Sequence, residues 1–264
     1  MIIDTFMIND EMDMLECRLV ELDQAVDMFV AVEADVDHQD HPKPYHLTDN
    51  LDRFAQWADR LIVVQASGLP TFADNPDPWA REHAQREHTW EGLRRAGVGE
   101  QDVILHGDID EIPTAVAARH VRPDGFIVFD QTLLCFAVDW QHPQRWRGTV
   151  AARAGRIPTF TGMRDARFTA QALPDAGWHL SWLGGQDAQL RKLGSFCHPE
   201  IADRALDGIE RNLWLTAGWH VDGHKLTPVD VDQTWPRWIV ERHCPPSWFR
   251  PRDTVDAGWK PPRR

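Results

Sequence analysis

VILHGDIDEIP, Val103 to Pro113, joins a short apolar run to three closely spaced acids, and the rest of the chain can be ordered around it. Val103, Ile104 and Leu105 read as a buried strand, and Asp108, Asp110 and Glu111 follow it. Ile112 and Pro113 close the extended segment, because proline fixes φ and has no amide to donate. In α/β proteins ligands gather beyond the carboxyl ends of strands. Two acids two residues apart in extended chain point the same way and can share one cation. Such hard oxygen ligands suit Mg²⁺ or Mn²⁺, with a diphosphate completing the set. The competing reading is an ordinary solvated acidic turn.

Upstream, strands and helices alternate. Ile2 to Ile8 reads as a strand, and Met12, Leu15, Leu19, Leu22 and Val26 recur at helical spacing. Phe29 to Val32 is a second strand, delivering Glu33, Asp35 and Asp37 at its end. His38, His41 and His46 crowd a Pro-containing loop but match no zinc spacing, so a surface loop is expected. Leu47 to Leu61 has the pattern of an amphipathic helix, and Leu61 to Val64 that of a strand. Trp79 to Ala96 reads as one long helix carrying Arg81 and Arg86, placed to meet phosphate or to pair with Glu82 and Glu87. This alternation predicts one α/β domain over residues 1–244, built on a mostly parallel sheet flanked by helices. Gly125 to Phe129 and Leu133 to Val138 are two further expected strands. Trp140 to Thr161 mixes Trp, Arg and Gly without a clear period, and residues 245–264 form a Pro/Arg/Trp-rich tail.

Composition narrows the function. With 264 residues, 42% hydrophobic, the chain can bury a full core. A net charge of −13 weighs against nucleic acid and anionic membranes as partners. Four scattered cysteines suggest reduced thiols, and no stretch is apolar enough to span a bilayer, so a soluble, cytoplasmic protein is expected. Thirteen tryptophans against one tyrosine supply flat apolar faces, suited to core packing and to stacking on sugars.

The second informative stretch is GWHLSWLGGQDAQLRKLGSFCHPE, Gly177 to Glu200. Trp178, His179 and Trp182 precede a Gly184–Gly185 turn, and Asp187 follows at a helix start, where it reads as a general base or as a helix cap. His198 reads as a hydrogen-bonded histidine or as a further metal ligand.

Five pieces, in order, carry a resemblance. They are IIDTFMINDEMDMLECRLVEL, FVAVEA, the segment from Trp79 to Arg86, DIDEIP, and GWHLSW with KLGSFCHPE. Together they resemble glycosyltransferase family 17, of a bacterial or phage type, over most of residues 1–200. The resemblance implies a GT-A-like fold and inverting transfer of a hexose or N-acetylhexosamine from a nucleotide-diphosphate sugar, UDP-linked. It implies Mn²⁺ or Mg²⁺ on Asp108, Asp110 and His198, and Asp187 as the base. It also implies donor contacts from Glu33, Arg81, Arg86, Asp108 and Glu111, and sugar stacking by Trp178, His179 and Trp182. The acceptor would be a glycan, a small glycoside or a hydroxymethylated DNA base, the last disfavoured by charge. Two other classes compete. A metal-dependent phosphohydrolase wants an acid at the end of the first strand with a downstream lysine, and Asp4 comes too early. A non-catalytic carbohydrate-binding protein leaves the acidic block without a purpose.

Overall fold

In the computed structural model, residues 1–195, 206, 209 and 217–251 are described. The first half winds as the sequence predicts. Strand β1 (Ile2–Met7) leads to helix α1 (Met12–Leu22), then β2 (Met28–Ala34), a kinked 3-10 segment (Thr48–Trp57) and β3 (Leu61–Ala66). Helices α2 (Pro78–Glu87) and α3 (Thr89–Arg95) lead to β4 (Val103–Asp108). The continuous helix expected from Trp79 to Ala96 is thus two helices meeting at His88. Pro78 starts α2, where a missing amide costs nothing, and the Asp77 carboxylate accepts from the Trp79 amide.

The second half runs β5 (Glu111–Pro113), α4 (Ala115–His120), β6 (Ile127–Cys135) and β7 (Trp140–Arg153). Helix α5 (Phe160–Asp165), β8 (Gln171–Ser181), α6 (Gly185–Ser195), β9 (Thr227–Pro228) and α7 (Arg237–Val240) follow. The two strands expected between Gly125 and Val138 are one strand, β6, with register shifts against β7.

Among the described residues, nine strands share one sheet, in the order β3-β2-β1-β4-β7-β6-β8-β5, with β9 on β7. The pairings divide into four parallel and four antiparallel, so the expected mostly parallel sheet is corrected to an evenly mixed one. The reason is local. Crossover connections that carry helices keep β3, β2, β1 and β4 parallel, whereas β6 and β7 are joined by a short connection that reverses the chain.

Each face of the sheet is covered. Leu15, Leu19 and Leu22 of α1 join Phe6, Phe29 and Ala31 on one face, with Trp238 and Trp248 from the C-terminal region. The tail therefore begins as packed chain, and residues 252–264 lie outside the described residues. On the other face Leu93, Phe160 and Met163 cover Ile3, Val30 and Val32. Gly92 lets α3 sit directly on β2, since a Cβ there would come within 2.2 Å of Val30 Cγ1. No described helix is long and apolar enough to cross a membrane.

Candidate active site

A cavity of about 830 Å³ opens beyond the ends of β1 and β4, and Asp108 and Asp110 both line it. The two acids do not lie in extended chain as the sequence suggested. The chain turns at residues 109–110 before β5 begins at Glu111. Arg18 causes this turn to hold its shape. It is fully buried on α1, it forks onto both oxygens of Asp4 at 2.7 Å, and its Nη1 donates to the carbonyls of Asp108, Ile109 and Glu111. A buried guanidinium of this kind gives the turn's Asp108 and Ile109 carbonyls a donor and shares the Glu111 carbonyl with the Thr149 hydroxyl.

Cations converge on the acids. Asp108 accepts from Arg86 at 3.1 Å and from Arg164 at 2.6 Å. Burial alone would raise its carboxyl, but the Arg164 and Arg86 charges outweigh burial and hold it well below the usual carboxylate range. Asp110 is paired with Lys192 at 3.0 Å and lies 3.4 Å from His179. Burial again opposes its charge, and Lys192 and His179 overcome it, so Asp110 too stays ionised far into acid. Arg86 also donates to His106 Nε2 at 2.9 Å, and His106 Nδ1 meets the Thr5 hydroxyl at 2.8 Å. Burial and then the Arg86 charge push the His106 pKa well below its ordinary value, so the ring is neutral.

Glu111 is turned inward and lies outside the cavity wall. Fully buried, it accepts from both Arg164 nitrogens, from the Trp146 indole at 2.6 Å and from the Asp108 amide at 3.1 Å. Arg164 reaches it because α5 is anchored on α2: Glu87 accepts the Phe160 and Thr161 amides at 3.1 and 2.8 Å. Glu33 is likewise buried, accepting the Leu47 and Thr48 amides, and it lies outside the cavity wall. Arg86 lines the cavity, whereas Arg81 packs on Phe72 and donates to the carbonyls of His38 and Pro70.

Strand alternation separates Trp178 from His179. His179 and Trp182 line the cavity with Trp146, whose ring centroid is 4.5 Å from that of His179. Trp178, pointing the other way, lines a second cavity of about 860 Å³ beside α4 and α7. Trp182 takes a left-handed backbone (φ 60°) just before the Gly184–Gly185 turn. Helix α6 presents Ala188, Lys192 and Ser195 to the cavity, one turn apart, while Asp187 is exposed and outside its wall. Glu11, at the start of α1, is in the wall; burial raises its carboxyl pKa, with Lys192 pulling the other way. His38 joins the cavity and bonds Gln85, whereas His41 bonds Asp37 on the surface, so the histidine loop forms no cluster. His198 lies outside the described residues.

Sequence reasoning passed over Arg18, Trp146, Arg164, Lys192 and Glu11. Arg18 left a trace, a cation on the apolar stripe of Leu15, Leu19 and Leu22 with Asp4 inside a buried strand. Arg164 left none, because its carboxylate partners are more than fifty positions away.

Against known proteins, a family model described as Glycosyltransferase family 17 matches residues 1–205. Human beta-1,4-mannosyl-glycoprotein 4-beta-N-acetylglucosaminyltransferase is 23% identical over 316 residues, covering 98% of this chain and 58% of its own length. The rat protein of the same name is 24% identical over 314 residues, covering 97% of this chain and 57% of its own. The chain thus spans somewhat more than half the length of these relatives.

Proposed function

The chain belongs to glycosyltransferase family 17, and from that premise we propose that it is a metal-dependent, inverting transferase of the GT-A type. It moves a hexose or N-acetylhexosamine from a nucleotide-diphosphate sugar, UDP-linked, to an acceptor hydroxyl. The observation that carries this reading is the cavity beyond β4, where two ionised carboxylates share a wall with Arg86, Arg164, Arg167 and Lys192. A hexose diphosphate needs both kinds of group, acids for a cation and cations for its phosphates.

The acids fit a divalent ion on chemistry. Both are oxygen donors kept charged, both face the cavity, and each carboxylate has more lone pairs than its present partners use. Asp108 and Asp110 would hold Mn²⁺ or Mg²⁺, which would supply Lewis-acid help to the departing diphosphate. Arg86 and Arg164 bind and orient the phosphates while remaining tied to Asp108. Lys192 is kept protonated against burial by Asp110, and so offers a fixed positive charge to the leaving group. Trp182, Trp146 and His179 give the sugar a flat wall and exclude water from the anomeric carbon. The acceptor proton goes to a carboxylate. Asp187 takes it in the reading the family resemblance implies; Glu11 is a second reading, favoured by its place in the wall.

Calorimetric titration of the protein with a panel of nucleotide-sugars, with and without Mn²⁺, tests the proposal. Metal-dependent binding of one donor is the expected result. Equal binding without metal would assign charge neutralisation to the arginines alone. Binding of free glycans but of no nucleotide would overturn the transferase reading.

A further inference from the structure

A second group of ligand-type side chains lies apart from the acid turn. His142 near the start of β7 meets Asp222 and His224 in the segment after Trp219, and their ligand atoms all fall within 4.8 Å of one another. It is the one such His/Asp group among the described residues. His142 is buried, with Nε2 at 3.2 Å from Asp222 Oδ2. His224 Nδ1 is shut off from solvent, 3.0 Å from Asp222 Oδ1, but has no hydrogen-bond partner. A third imidazole stands beside them, His220 Nδ1 lying 2.9 Å from the same Asp222 oxygen. The His142 ring packs edge-on against those of His220 and His224, with centroids at 4.9 and 5.0 Å.

We propose that His142, Asp222 and His224 form a binding site for one transition-metal ion of the zinc class, distinct from the acids at the end of β4. Imidazole and carboxylate are ordinary zinc ligands, and two imidazoles with one carboxylate select zinc-like ions over Mg²⁺ or Mn²⁺. Bonds of about 2.1 Å in a tetrahedral centre draw ligands to roughly 3.4 Å apart, so ligand atoms within 4.8 Å of one another close by no more than about 1.4 Å. His220 is placed to orient Asp222, as outer-shell partners of zinc carboxylates do.

One proton must move for this to happen. The Gln144 amide donates to His142 Nδ1 at 3.1 Å, so in the metal-free chain Nε2 carries the proton and donates to Asp222. Coordination through Nε2 shifts that proton to Nδ1 and gives up the Gln144 bond. Gln144 is exposed, so its amide turns to water at little cost. The ion would tie the 219–225 segment to β7, and that segment supplies His220 and Val221 to the cavity wall. The site thereby fixes one side of the cavity without entering its chemistry.

The full chain, stripped with chelator and titrated with Zn²⁺, should take up one equivalent at this site and melt at a higher temperature when loaded. Co²⁺ should give the intense visible absorption of a four-coordinate centre. His224→Ala, at a half-exposed ring, should keep the fold and lose zinc affinity by more than the 10–100-fold that an outer-shell change typically costs. Asp222→Asn should lose it as well, and Asp110→Ala should retain it. The inference is independent of the transferase reading, since Asp110→Ala tests only the latter. Zinc uptake unchanged in both His224→Ala and Asp222→Asn, or no uptake by the unaltered chain, would overturn the site.

Discussion

The two halves of the sheet are built differently, and the candidate site is the seam between them. The parallel half, β3-β2-β1-β4, supplies the carboxylates at the end of β4 and holds them from behind with Arg18. The mixed half supplies most of what faces them: Arg164 from α5, Trp146 from β7, His179 from β8 and Lys192 from α6. Neither half alone has a charge-balanced wall. Asp110 is kept ionised by Lys192 and His179 from the other side of the seam, and Asp108 by Arg164 from that side together with Arg86 from its own, so folding of the mixed half completes the chemistry of the parallel one.

The largest way to break this arrangement lies behind the turn. Arg18→Leu leaves the buried Asp4 carboxyl without its partner and removes a donor from the carbonyls of Asp108, Ile109 and Glu111. Losing one partner of a buried pair costs about 3–5 kcal/mol. The urea midpoint should fall accordingly, and a midpoint near that of the unaltered chain would show that the turn stands without its anchor.

A second test sharpens which half takes the acceptor proton. Glu11 belongs to the parallel side and Asp187 to the mixed side. Glu11→Gln and Asp187→Asn should each leave donor affinity close to unaltered, and only one should lose roughly 10²–10⁴-fold in transfer rate. Loss with Asp187→Asn alone supports the family reading. Loss with Glu11→Gln alone moves the base to the cavity wall, and loss with neither removes both.

The smallest effect is a pH dependence. His106 is neutral in the folded chain, while the unfolded chain takes up its proton below about pH 6.5. More protons on the unfolded state mean that stability rises with pH there. Stability should thus be level above about 6.5 and decline below it by at most about 1.4 kcal/mol per unit for this residue. His38 and His142, also depressed by burial, act in the same direction. The Asp108 and Asp110 carboxyls are depressed as well, by their cationic neighbours, and so act in the same direction, but only below about pH 4. Urea midpoints across this range, for the unaltered chain and for His106→Gln, would check it: the variant should show the shallower slope.

The parallel half was legible because it is written locally. Ile2 to Ile8, Phe29 to Val32 and Val103 to Leu105 are apolar runs separated by helical periods, and each became a strand in the expected place. The mixed half was not. β7 is fourteen residues long, and its middle carries Pro143, Gln144 and Arg145 facing solvent, so no apolar period marks it. Asp108 and Asp110 were singled out by spacing, yet their shared wall depends on a turn that Arg18 holds from ninety positions away. Which of Trp178 and His179 meets the cavity depended on the register of β8 against β5, a tertiary fact. Arg164, set by the docking of α5 on Glu87, had no local signature.

The left-handed backbone of Trp182 has an evolutionary corollary. A bulky ring in that conformation carries strain of about 1–3 kcal/mol that glycine would avoid. Selection for thermal robustness alone would therefore drift this position towards glycine, and selection for a flat aromatic wall would hold it at tryptophan. Under the proposed function, position 182 is where durability and substrate handling pull against each other, so laboratory evolution for heat resistance should be watched there first.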